Sequence, residues 1–123
     1  MITGAVSADY KPQVPLRVRG PAGDLTDVTA VMDTGFTGSL ALPAATVAVL
    51  GLRAIDDREY SLADGTPLIV PRHAGEVEWG LGWKPLLILA VGDEPLLGMA
   101  LLDGHRVYME ATPGGLVDIV PLP

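Results

Sequence analysis

Fifteen glycines and eleven prolines cut this chain of 123 residues into short apolar pieces. A chain so punctuated has little room for long helices, and the pieces themselves repeat with a period of two. Val14, Leu16 and Val18 fall on one face of an extended segment, with Arg17 and Arg19 on the other. The pattern predicts an all-β domain of short strands joined by tight turns. Pro21-Ala22-Gly23-Asp24 is a turn, and Leu25 to Met32 returns as a partner strand, giving a hairpin. Asp64-Gly65, between Glu59 to Leu62 and Thr66 to Val70, marks a second hairpin. Thr112-Pro113-Gly114-Gly115 marks a third, at the end of the chain, between Arg106 to Ala111 and Leu116 to Val120.

Other segments read less regularly. Pro43 at the start and Gly51 past the end bracket a short helix whose apolar face is Ala44, Val47 and Leu50. Another strand is the alternative there. Asp56-Asp57-Arg58-Glu59 reads as a charged surface link. Glu76 to Trp79 alternates, with Val77 and Trp79 inward and the glutamates out. Trp83 to Val91 is a nearly continuous apolar strand, and Pro85 confines its first part to a sheet edge. Leu96-Leu97-Gly98 is a brief strand ending in glycine, followed by a helix of one or two turns stopped by Gly104.

The length suits a single domain over residues 1–123 with a real core. Hydrophobic residues are 49% and charged residues 19%, which favours a compact fold over disorder. A net charge of −7 with only eight scattered basic residues speaks against nucleic acid as a partner. Without cysteine there are no disulfides and no thiolate metal sites. His73 and His105 stand too far apart in sequence to suggest shared ligation, so no metal and no cofactor is expected. Ser39 and Ser61 lie in no Gly-x-Ser-x-Gly elbow, and no phosphate-binding glycine loop opens a helix. The first residues lack the basic flank and long apolar region of a secretory signal, and Leu86 to Val91 is too short to span a bilayer. A cytoplasmic location is the default expectation.

The chemistry concentrates in Val28 to Pro43. An apolar strand delivers one carboxylate, Asp33, to its end, and the turn Thr34-Gly35-Phe36-Thr37-Gly38 leads into a second apolar strand, Ser39 to Leu42. An acid there must be hydrogen-bonded, exposed or used. A turn-capping aspartate is the plain structural reading. Asp33-Thr34-Gly35 after a hydrophobic strand also resembles the active-site loop of the aspartic peptidases. More narrowly, the chain resembles the short, one-motif retropepsin-like branch with its bacterial and archaeal members. Leu96-Leu97-Gly98-Met99-Ala100-Leu101-Leu102 is similar to the second signature of that family, two hydrophobic residues and a glycine before a leucine-rich helix. Tyr60 to Val70 occupies the slot of the family's flap hairpin.

The resemblance implies a closed acid-protease barrel and an aspartic endopeptidase. Such chemistry needs two carboxylates sharing one proton. Asp64-Gly65-Thr66 and Asp103-Gly104-His105 are not second copies of the loop, so the dyad requires a homodimer in which Asp33 meets its twin. Thr34 is then expected to hydrogen-bond across the axis, and Gly35 to keep the loop open to water. Phe36 stands where the family has a small residue; together with Thr37 it is expected beside the substrate, and packing under the loop is its other reading. Ala63, Asp64 and Gly65 are expected to cap an extended peptide, the substrate partner. The flap tip lacks the several glycines of viral flaps. Trp79 and Trp83 read as sheet core, with a cleft lining as the alternative. Two competing functions remain: a catalytically silent module of this fold that binds peptide, and a purely structural dimer.

Overall fold

The structure is a computed structural model and describes residues 1–123. Ten strands and two short helices follow in order: β1 (Ile2–Val6), β2 (Pro12–Arg19), β3 (Leu25–Met32), β4 (Leu40–Leu42), α1 (Ala44–Leu50), β5 (Arg53–Ser61), β6 (Pro67–Trp79), β7 (Gly82–Ala90), β8 (Leu96–Leu97), α2 (Met99–Leu102), β9 (His105–Met109) and β10 (Leu116–Pro121). They form one sheet in the order β5-β6-β7-β4-β8-β3-β2-β1-β10-β9. An additional β6–β2 pairing, Val18 opposite Val77 and Arg19 opposite Glu76, closes six of these strands into a barrel. The all-β expectation and the closed barrel are therefore met.

The alternation read from β2 is the alternation observed: Val14, Leu16 and Val18 are buried, and Arg17 is exposed. They join Met32, Leu40, Val77, Ile88, Leu97 and Ile119 in one core cluster of 18 residues inside the barrel. Fully burying one such aliphatic side chain contributes roughly 1.5–3 kcal/mol, so this cluster is the principal reason the barrel closes. A second cluster, Ala41, Val70 and Leu89, lies on the other face of β4 and β7. Phe36, Tyr60 and Leu68 pack against it, which fastens the β5–β6 hairpin over the segment that follows Asp33.

Several expectations need correction. The helix begins at Ala44 with Pro43 as its N-cap, one position earlier than expected for the proline. Ala44 is exposed, and only Val47 and Leu50 are buried, because the helix packs through its last turn. Gly51 closes that turn in the left-handed conformation, φ 62°, its N–H directed to the Ala48 and Val47 carbonyls. Asp56 to Glu59 is no link but the middle of β5, beyond a register shift between Ala54 and Asp56. Strand β6 runs unbroken from Pro67 to Trp79, where two separate segments were expected. Strand β1 had no counterpart in the sequence reading. It pairs with both β10 and β2.

Strand β7 pairs with β4 only at Ile88 to Ala90, which leaves Pro85 on an edge as anticipated. Trp79 is half-buried against the core, and its Nε1–H donates to His105 Nε2 at 3.2 Å. Trp83 lies under the Arg19 guanidinium, 4.1 Å from the ring centre, and Arg19 in turn bonds Glu76 at 3.1 Å. No helix is long and apolar enough to cross a membrane.

Candidate active site

Two short pairings, one parallel (β3–β8) and one antiparallel (β4–β8), bring the two distant motifs together. Strand β8 lies between β3 and β4: Val31 and Met32 pair with Leu96 and Leu97, and Leu40 and Ala41 pair with Leu97 and Leu96 from the other side. The loop joining β3 to β4 therefore springs from both flanks of β8, and the end of β8 leads straight into α2 beneath it. Leu97, fully buried, sits at the centre of this junction.

Hydrogen bonds then fix the loop. The Asp33 N–H donates to the Leu97 carbonyl at 2.9 Å, and the Phe36 N–H to the Asp33 carbonyl at 3.1 Å. From the second motif, the Gly98 N–H donates to Ser39 O at 3.0 Å, Met99 N–H to Phe36 O at 2.8 Å, and Ala100 N–H to Gly38 O at 3.1 Å. The approach is so close that a Cβ on Gly98 would stand 2.2 Å from the Gly38 carbonyl oxygen. Glycine is required there by contact with backbone, not by φ, which is −106°. The Phe36 ring fills the space between Gly38 and Gly98 and rests on the second cluster. That is the packing alternative considered for it.

Asp33 itself is half-buried. Its Oδ1 accepts the Gly35 N–H at 2.9 Å, the turn-capping bond that any Asp at this position can make. Its Oδ2 has no hydrogen-bond partner within the chain. Thr34 and Gly35 are exposed beside it. Thr34 borders a groove of about 390 Å³ whose walls include Met32, Met99, Leu102 and Val107. Thr37 is exposed and faces a different recess, toward the β5–β6 hairpin.

The hairpin tip stands apart from these groups. Ala63, Asp64 and Gly65 are exposed, and their bonds are internal to the turn: Thr66 N–H to Asp64 Oδ1 at 2.9 Å and Gly65 N–H to Leu62 O at 2.9 Å. Hydrogen bonding from the Thr66 side chain foremost, and then from its N–H, holds the Asp64 carboxyl below its ordinary range. The residues that join the hairpin to the loop are Tyr60, Leu68 and Val70, lower on the same ribbon. Sequence reading placed the hairpin correctly and missed these contacts, although the alternation of Leu68 and Val70 was available as a signal. A larger surface hollow, about 570 Å³ and edged by Arg17, Asp27 and Glu78, includes no residue of either motif. No three His, Asp or Glu side chains converge as metal ligands would.

A strand-end aspartate on a glycine turn, buttressed by a second glycine motif inside a closed six-strand barrel, defines a retropepsin-like architecture. The crystal structure of a retropepsin-like aspartic protease from Rickettsia conorii is similar to it, with a TM-score of 0.58 over 94% of this chain and 87% of that one, at 18% sequence identity. No protein-family model and no curated protein matches the sequence, so the likeness is one of fold.

Proposed function

We propose that this protein is an aspartic endopeptidase that works as a homodimer, with Asp33 of each subunit forming the catalytic pair. The observation that carries the reading is Asp33 itself: one oxygen is fixed by the Gly35 N–H and the other is left free, on a loop held by three hydrogen bonds from the second motif. A carboxylate preorganised in this way loses little entropy when a reacting group arrives. The similarity to a retropepsin-like aspartic protease supports the same assignment. The apolar groove beside Thr34 is where the second copy would be seated, with the two Thr34 side chains meeting near the axis.

In such a pair the two acids share one proton. The ionised Asp33 takes a proton from a water while the water oxygen bonds to the scissile carbonyl carbon, and the protonated twin gives its proton to the carbonyl oxygen. The newly protonated Asp33 then gives its proton to the nitrogen while the twin takes one back from a hydroxyl. The resulting diol collapses and the C–N bond breaks, releasing the amine and the carboxylic acid. Gly35 leaves space for that water. Phe36, through its packing, holds Thr37 toward the peptide, and the turn Ala63-Asp64-Gly65 closes over an extended substrate by adding a strand-like edge. This chemistry implies no metal or organic cofactor.

The test is cleavage of a peptide library from about pH 4 to about pH 8 by the parent and by Asp33→Asn. Loss of the acid–base group is expected to lower the rate by about a hundredfold to ten-thousandfold. Equal activity in both removes Asp33 from the chemistry. Peptide binding by a parent that never cleaves points to the silent module instead, and a monomer at every concentration in sedimentation overturns the dyad.

A further inference from the structure

On β5, residues Asp56, Arg58 and Tyr60 lie opposite Arg72, Val70 and Leu68 of β6. Residues paired in this way share one face of the ribbon. That face is turned toward the loop, because Tyr60, Leu68 and Val70 pack with Phe36, Ala41 and Leu89. Between hairpin and loop lies a recess of about 250 Å³, with Arg58, Tyr60 and Arg72 on the hairpin side and Thr37, Ser39 and Leu89 on the other. It is smaller than the roughly 300–1,000 Å³ usual for a small-molecule site, and suits one side chain of a larger ligand.

The charge of this recess runs against that of the chain, which is −7 overall. Arg72 grips Asp56 with two bonds, Nε to Oδ1 at 2.7 Å and Nη2 to Oδ2 at 2.6 Å. These bonds foremost, then the charges of Arg72 and Arg58, hold the Asp56 carboxyl below its ordinary range, so it stays ionised and engaged. Arg58 has no carboxylate within ion-pairing distance, unlike Lys11, Arg17, Arg19 and Arg72. Its neighbours Asp57 and Glu59 point to the opposite face of β5. One positive charge is therefore left over, beside the hydroxyls of Thr37, Ser39 and Tyr60. A guanidinium in that setting is matched best by a carboxylate.

We infer that this recess is a subsite for an acidic side chain of the bound peptide, and that Arg58 is the residue that selects it. The inference rests on the peptide-cleft reading of the preceding section, and it adds a substrate class: peptides carrying Glu or Asp at one fixed position from the scissile bond. Arg72 is the less selective of the two arginines, because Asp56 already occupies its fork. The turn after Asp33 supplies the opposite wall, which ties the position of the acid to that of the scissile bond.

The experiment measures binding to the full-length Asp33→Asn protein, so that turnover is not required. Fluorescent, C-terminally amidated peptides from a positional library are compared as Glu and Gln pairs at each position. At one position the Glu peptide is expected to bind about fivefold to tenfold more tightly, with the gap shrinking as salt rises. Arg58→Lys keeps the preference, and Arg58→Glu reverses it in favour of Lys at that position. Both variants keep a charged residue on an exposed strand position, and thermal melting verifies that each is folded. The absence of a Glu preference at every position, or its survival in Arg58→Glu, overturns the inference. A Gln peptide with a free C-terminal carboxylate that binds as well as the amidated Glu peptide assigns the recess to chain ends and overturns it too. A preference in binding without cleavage by the parent sinks the peptidase and leaves the subsite; cleavage without a preference does the reverse. Failure of any peptide to bind removes both.

Discussion

Replacing Gly98 with alanine tests whether the two motifs are one mechanical unit. The added Cβ would lie 2.2 Å from Gly38 O, 2.8 Å from Phe36 O and 2.6 Å from Phe36 Cδ2. Two of those three atoms are backbone, so rotamer changes cannot relieve the contact. The loop and α2 must separate, which weakens the bonds from the Gly98, Met99 and Ala100 N–H groups at 3.0, 2.8 and 3.1 Å. Hydrogen bonds of this kind contribute about 0.5–1.5 kcal/mol each, and overpacking costs roughly 1–3 kcal/mol. The expected destabilisation is about 3–5 kcal/mol, or a fall in Tm of roughly 10–20 °C for a domain of this size. Differential scanning calorimetry on the parent, Gly98→Ala and Gly82→Ala measures it. Gly82 meets nothing within 4 Å and serves as the control. A companion pair sharpens the result. The three atoms nearest a Cβ at Gly38 all belong to the flexible Phe36 ring, Cζ the closest at 2.6 Å. Adding Phe36→Ala should therefore offset part of the Gly38→Ala loss and none of the carbonyl clash in Gly98→Ala. A Gly98→Ala protein melting within about 2 °C of the parent, or one restored in full by Phe36→Ala, would refute the reasoning.

Two further outcomes follow from the same contacts. The folded Asp56 carboxyl titrates below its ordinary value of 3.8, so its stabilising effect is present above that pH and is lost as pH falls through the lower folded value. Urea midpoints for the parent and Asp56→Asn should thus differ at neutral pH and converge in strong acid; a constant gap at all pH values contradicts the assignment. Leu97→Ala empties the junction of β3, β4 and β8 and is expected to cost about 2–5 kcal/mol in urea unfolding, against less than about 0.5 kcal/mol for the exposed Leu81→Ala. Equal effects would show that the junction is not part of the packed core.

What the sequence disclosed depended on whether one face of a strand is dry. In β2 the alternation of Val14, Leu16 and Val18 with arginines was legible because those valines enter the barrel. The β5 ribbon has water along much of its surface, so Asp56 to Glu59 carries no such pattern and reads as a linker. Strand β6 hid its continuity at Pro71, where it has only β5 as a neighbour and tolerates a missing N–H. Strand β1 was masked by Gly4, which is there because a Cβ would stand 2.0 Å from the Gln13 carbonyl oxygen. Within the candidate site, Asp33, Thr34, Gly35 and the Gly98 motif were legible as a constellation. Arg58 was not, since its significance comes from which charges it lacks as neighbours, and that depends on the fold of both strands.

The barrel's closing seam has a kinetic corollary. Only two residue pairs join β2 to β6, and the Arg19–Glu76 contact spans 57 positions of chain. Loop entropy disfavours so distant a meeting until nearer hairpins have formed. For an interval during folding, then, each of these strands presents an unsatisfied margin to its surroundings, and a crowded solution of nascent chains can join them between molecules before the right partner arrives. Arg19, clasped by Glu76 and laid across Trp83, acts as the latch that ends that vulnerable interval.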